Sequence, residues 1–180
     1  VGSAVHEVLE SLSVMPKQTR FAESLIAKFE KVWSKVSGKN GGFTSDDSEY
    51  KYKTRGQEML RRVMNNSGPL QGLTVKIQMD LPYFWLSEED NIILCGKVDW
   101  LEYLPEADGV RIVDFKTGRG REHEESLQLP IYHLLVDHCQ KRKVLGASYW
   151  YLETDDNLTD KELPELQEAE RRVLEVARKV

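Results

Sequence analysis

The sequence predicts an α/β domain, with a mixed four-stranded sheet in the order βββαβ, flanked by helices and preceded by an N-terminal helical segment. Three observations predict it. Apolar residues recur at helical spacing through the first 65 positions. Near Val75 the spacing changes to strict alternation, the period of a half-buried strand. Beyond Gly120 a helical stretch separates two strand-like runs, as in a βαβ unit.

Each element follows from local pattern. Val5, Val8, Leu9 and Leu12 make residues 3–14 an amphipathic helix. Thr19 is placed to cap a second helix, whose apolar face is Leu25, Ile26, Phe29, Val32, Trp33 and Val36. Residues 38–48 are rich in Gly, Asn, Ser and Asp and predict a loop. A third helix is expected over about 49–65 with Met59, Leu60, Val63 and Met64 inward, ended by Asn66-Ser67-Gly68-Pro69. Val75, Ile77, Met79 and Leu81 mark a first strand, and residues 87–91 a turn. Residues 92–104 and 110–116 read as the next two strands, joined by a turn at 105–109. Gly118 and Gly120 break the meander. A helix over about 126–141 tolerates Pro130 only in its first turn. Residues 147–153 give a fourth strand and 163–180 a final helix. The βαβ crossover is expected to be right-handed. The whole chain, 1–180, reads as one domain with a helical part at about 1–68 and an α/β core at about 72–180.

Composition narrows the function. The chain has 180 residues, enough for one core, with 40% hydrophobic and 31% charged residues. No stretch approaches the roughly 18 apolar residues of a membrane helix, and the first segment is amphipathic rather than a signal peptide. Cys95 and Cys139 lie far apart with no CxxC spacing, so no disulfide framework, zinc site or iron–sulfur cluster is expected. The expected setting is reducing and intracellular, the cytoplasm. The chain starts at Val1 directly in a helical pattern, which suggests a piece of a longer protein. A net charge of −5 argues against a protein that coats DNA through bulk basicity. A metal site needs carboxylates, however, and DNA needs only a local positive surface.

The chemistry centres on Asp114-Phe115-Lys116. Residues two apart on a strand share a face, so Asp114 and Lys116 point the same way. Alone, such a pair is as easily a salt bridge. The turn at 105–109 folds the neighbouring strand back so that Asp99 falls nearly opposite Asp114. Opposed carboxylates repel, and a divalent cation such as Mg²⁺ or Mn²⁺ relieves that repulsion. A register slip of one residue would instead turn the two acids to opposite faces. His6 lies at the edge of the first helix's apolar stripe, either a partly buried surface residue or a ligand whose imidazole favours Mn²⁺. The stretch from Thr117 to Arg121 is either a phosphate-approaching loop bearing Arg119 and Arg121 or a plain loop. Gln128 and Tyr132, four apart, share one helix face, either near the site or simply on the polar side.

Taken in order, residues 2–10 around His6, Gly96-Lys97-Val98-Asp99, Ile112 to Gly118 and Gln128-Leu129-Pro130-Ile131-Tyr132 resemble the motifs of the PD-(D/E)xK nuclease superfamily, specifically its RecB-like exonuclease branch. The resemblance implies a restriction-endonuclease-like core and a Mg²⁺- or Mn²⁺-dependent deoxyribonuclease, a phosphodiester hydrolase of repair or recombination that acts on single-stranded or end-containing DNA and often accompanies a helicase. It implies metal ligation by His6, Asp99, Asp114 and the Phe115 carbonyl, a water-orienting role for Lys116, and support from Gln128 and Tyr132. Arg119, Arg121, Arg61, Arg62 and the run Lys141-Arg142-Lys143 are candidate phosphate contacts, with Gln128 touching the DNA backbone. Two features depart from relatives. Cys95 and Cys139 do not match the four cysteines that hold an iron–sulfur cluster in some of them, and Lys76 and Gln78 occupy the strand where many carry an acid, with Asp80 at its end.

Overall fold

A computed structural model describes residues 1–123 and 126–179 of the chain. Helices α1 (Gly2–Ser11), α2 (Leu25–Trp33) and α3 (Asp46–Asn65) come first. Strands β1 (Leu73–Thr74), β2 (Tyr83–Ser87), β3 (Ile92–Cys95), β4 (Trp100–Leu104) and β5 (Gly109–Lys116) follow. Then come α4 (Gln128–Cys139), β6 (Lys143–Tyr151), β7 (Thr159–Lys161) and α5 (Leu166–Ala177). The α/β class stands. Strands β1, β4, β5, β6 and β7, in that order, form a mixed five-stranded sheet, while β2 and β3 pair separately.

The differences from the expected elements have physical causes. Residues 75–81 alternate like a strand but are not one: Met79 and Leu81 are exposed, and only the Val75 amide continues the ladder, donating to the Leu101 carbonyl. Residues 83–87, the first three of them aromatic, form the strand instead. The single strand expected over 92–104 breaks at Gly96–Asp99 into β3 and β4, which join different sheets. Thr19 does not cap α2. It lies in a 3₁₀ turn, and Ser24 caps the helix by accepting from the Ile26 amide. Met64 is exposed rather than inward. Strand β7, with the sequence Thr-Asp-Lys, has no apolar alternation to announce it. The final helix is shorter than expected, and its expected last residue, Val180, lies outside the described residues.

Contacts divide the chain into two compact units. The first comprises residues 1–73, 115–120 and 150–158. In it α1, α2 and α3 pack on one another through Val5, Val8, Leu9, Leu25, Phe29, Trp33, Met59, Leu60 and Val63, all buried. Buried Arg20 offsets its own desolvation by donating to four carbonyls, those of Leu12, Met15, Leu70 and Gly72. The second unit comprises residues 74–114, 121–149 and 159–180. Leu86, Leu94, Leu134, Leu135, Ala169 and Val173 form its core, where α4 and α5 pack together and against the β2–β3 hairpin.

Candidate active site

In the second unit β4 and β5 pair antiparallel with Trp100 opposite Val113 and Leu101 opposite Ile112. The ladder ends at the Trp100–Val113 pair, and Asp99 lies in a bend just before β4, outside the paired residues. Asp114 is only 1% exposed. A buried carboxylate needs donors, and Gln128 supplies one: its Nε2 donates to Asp114 Oδ1 at 2.9 Å. The same amide donates to the Tyr132 hydroxyl at 3.2 Å, one turn on. The Gln128–Tyr132 face of α4 is therefore the one turned to Asp114, not a solvated polar stripe. The α4 start suits this. Pro130 falls in the first turn, where its missing N–H costs nothing, and the Gln128 amide is met by Ser126 Oγ.

Strand β5 then enters the first unit with Phe115 and Lys116. Phe115 is buried, its ring edge-on to Trp150. Lys116 shares the Asp114 face by strand alternation. The Phe115 carbonyl oxygen lies 2.9 Å from His6 Nε2, and His6 Nδ1 lies 2.9 Å from the Gly2 carbonyl oxygen. Both carbonyls are acceptors, and a neutral imidazole has one N–H. With that hydrogen on Nδ1 donating to Gly2, Nε2 presents a lone pair beside the Phe115 oxygen, the way backbone carbonyls orient ligating histidines. Two neighbouring ligands of an octahedral cation at 2.0–2.1 Å stand about 3 Å apart, and the His6–Phe115 pair has that spacing. Donor chemistry and spacing here fit a divalent cation. Among the described residues, no group of three or more His, Cys, Asp and Glu side chains is gathered into a metal cluster.

Of the basic residues expected to meet phosphate, Arg61, Arg62 and Arg119 belong to the first unit and Arg121 and Arg142 to the second. Arg62 bonds Asp156, and Arg119, its side chain 74% exposed, donates through Nε to Glu153. Exposed pairs of this kind are worth about 0–1 kcal/mol. Arg61 and Arg121 are exposed. Arg142 of the basic run lies over the Tyr103 ring and 3.4 Å from Asp108 in the second unit. Cys95 and Cys139 are free thiols, and burial pushes the Cys139 thiol pKa up. Sequence reasoning passed over Arg55 and Glu153, which meet at the loop after Lys116. Nothing in the spacing of a mid-helix arginine and a strand-end glutamate marks them in advance.

The site is thus a strand carrying Asp-x-Lys in an α/β sheet, with a helix glutamine on that aspartate and a tyrosine behind the glutamine. The family profile of the PD-(D/E)XK nuclease superfamily matches residues 1–180, and the chain belongs to that superfamily. No curated protein and no solved structure is significantly similar to it.

Proposed function

We propose that the chain is a Mg²⁺- or Mn²⁺-dependent deoxyribonuclease of the RecB-like branch, an exonuclease acting on DNA ends in repair or recombination beside a helicase domain or subunit. The observation that carries this reading is the buried Asp114 carboxylate held by Gln128, two residues before Lys116 on β5. His6, Asp99, Asp114 and the Phe115 carbonyl hold the cation. When bound, the cation makes a water more acidic and offsets charge on the scissile phosphate. Lys116 orients that water and steadies the charge that develops on the phosphate as the bond to the 3′ oxygen breaks. Gln128 fixes the Asp114 carboxylate, and Tyr132 fixes Gln128. Arg119, Arg121, Arg61 and Arg62 meet phosphates, so binding is weakly sequence-specific and falls steeply with salt.

A second reading is a nuclease scaffold that binds DNA or a protein without cutting. It draws on the lack of a gathered three-side-chain cluster among the described residues. End-labelled single- and double-stranded DNA, incubated with the protein and Mn²⁺, Mg²⁺ or EDTA, separates the two. The first reading expects metal-dependent shortening of the label that Asp114→Ala and Lys116→Ala both abolish. DNA left intact in every metal supports the scaffold.

A further inference from the structure

We infer that Arg55, seated by Glu153, is a positioning residue for Lys116, an inference that rests on the nuclease reading for its catalytic consequence but not for its geometry. Two successive carbonyl oxygens, those of Lys116 and Thr117, each accept a hydrogen bond from a different part of the first unit, and the Phe115 oxygen just before them faces His6. His6 of α1 lies 2.9 Å from the Phe115 oxygen. The Leu152 amide, just past β6, donates to the Lys116 oxygen at 2.9 Å. Arg55 of α3 donates through Nη2 to the Thr117 oxygen at 2.6 Å.

Arg55 does so from a fixed seat. Its Nε and Nη2 both donate to Glu153 Oε2, at 2.8 and 2.5 Å. The other Glu153 oxygen accepts from Arg119 Nε at 2.9 Å. Glu153 thus joins the helix arginine to Arg119 of the loop that follows Lys116. The Arg55 and Glu153 side chains are each 20% exposed, so the pair is partly desolvated and less screened than a surface pair. The approach is close on the other side too. A Cβ on Gly2 would stand 2.8 Å from Thr117 Oγ1, so the bare Gly2 backbone lets α1 lie close to the Thr117 side chain.

Active groups need placement to about 0.5 Å, through partners whose own geometry is fixed. A lysine at position 55 keeps the charge but presents one compact ammonium, which cannot reproduce the planar fork that reaches Glu153 and Thr117 together.

The test uses the purified chain with Arg55→Lys and, as a second variant, Glu153→Gln. Amide exchange at Leu152, whose N–H bonds the Lys116 carbonyl, reports the grip directly and needs no activity. The expected result is exchange about tenfold faster at Leu152 in both variants, with amides of α5 unchanged. Where the wild type cuts DNA, kcat falls at least about tenfold while KM and Mn²⁺ affinity stay within about twofold. Unchanged Leu152 exchange in both variants overturns the positioning role, whatever the cleavage assay shows. Faster exchange with wild-type kcat overturns its catalytic consequence. A wild type that cuts nothing counts against the nuclease reading alone, and Leu152 exchange still decides whether Arg55 holds this segment.

Discussion

Asp114 concentrates the residue-scale argument. It is almost fully buried, and Gln128 reaches it from one helical turn before Tyr132. Groups that orient a metal ligand without touching the metal typically account for 10–100-fold in affinity or rate. Gln128→Ala is therefore expected to weaken Mn²⁺ binding about 10–100-fold, measured by calorimetry, with the fold kept. Lys116→Ala is expected to leave Mn²⁺ binding within about threefold and to lower kcat by about 10²–10⁴, the range for a positioned proton-handling group. Glu153 gives a pH prediction. The hydrogen bond from Arg55, joined by that from Arg119, holds its carboxyl below the usual glutamate range against the opposing effect of burial. A depressed folded pKa adds stability that is fully present above the unfolded glutamate value and is lost as pH falls through the lower folded value. Thermal unfolding followed from neutral to acid pH should thus show an acid loss that is shallower in Glu153→Gln. The contact between Asp114 and Gln128 was legible because motif residues sit at fixed offsets on a strand and a helix. Arg55 was not, because its partners are a carbonyl and an acid remote in sequence, Thr117 and Glu153.

At the scale of elements, periodicity located α1, α3, α4 and β5, where one apolar face is buried against the core. It failed where alternation had no core to face. Val75 to Leu81 alternates, yet its later apolar residues are exposed, whereas the true strand 83–87 carries its inward positions on Phe84 and Leu86. Gly96 interrupts the run 92–104, and a Cβ there would stand 3.0 Å from Leu135 of α4, so the bare backbone lets the helix approach. Gly56 in α3 makes the same point within the first unit. Glycine inside a helix costs about 1 kcal/mol relative to alanine. Here a Cβ would stand 2.6 Å from the Phe29 ring of α2. Overpacking of that kind costs about 1–3 kcal/mol and outweighs the gain in helix propensity. Gly56→Ala is expected to lower the urea midpoint, and Phe29→Leu, which removes the ring but leaves Val1 Cγ2 2.9 Å from the new Cβ, to recover part of that loss. An unchanged midpoint in the wild-type background would mean that α2 does not approach α3 as closely as described.

For the whole molecule, charge and motif pull in different directions, and the site decides. A net charge of −5 gives no general affinity for DNA, so the proposed function assigns binding to a few arginines. DNA affinity should fall with salt along a log–log slope of about −0.7 to −0.9 per phosphate contacted, and Arg119→Ala should make that slope shallower by about one contact in a filter-binding titration. No helix among the described residues is long and apolar enough to cross a membrane. The central claim of the proposed function is that the Asp114 carboxylate is a ligand of the catalytic cation. Calorimetric titration of Mn²⁺ into the wild type and Asp114→Asn tests it most directly, because the amide keeps the size of the side chain and removes its charge. The account predicts a saturable site in the wild type that weakens at least about tenfold in Asp114→Asn. Equal Mn²⁺ binding by both proteins would contradict it.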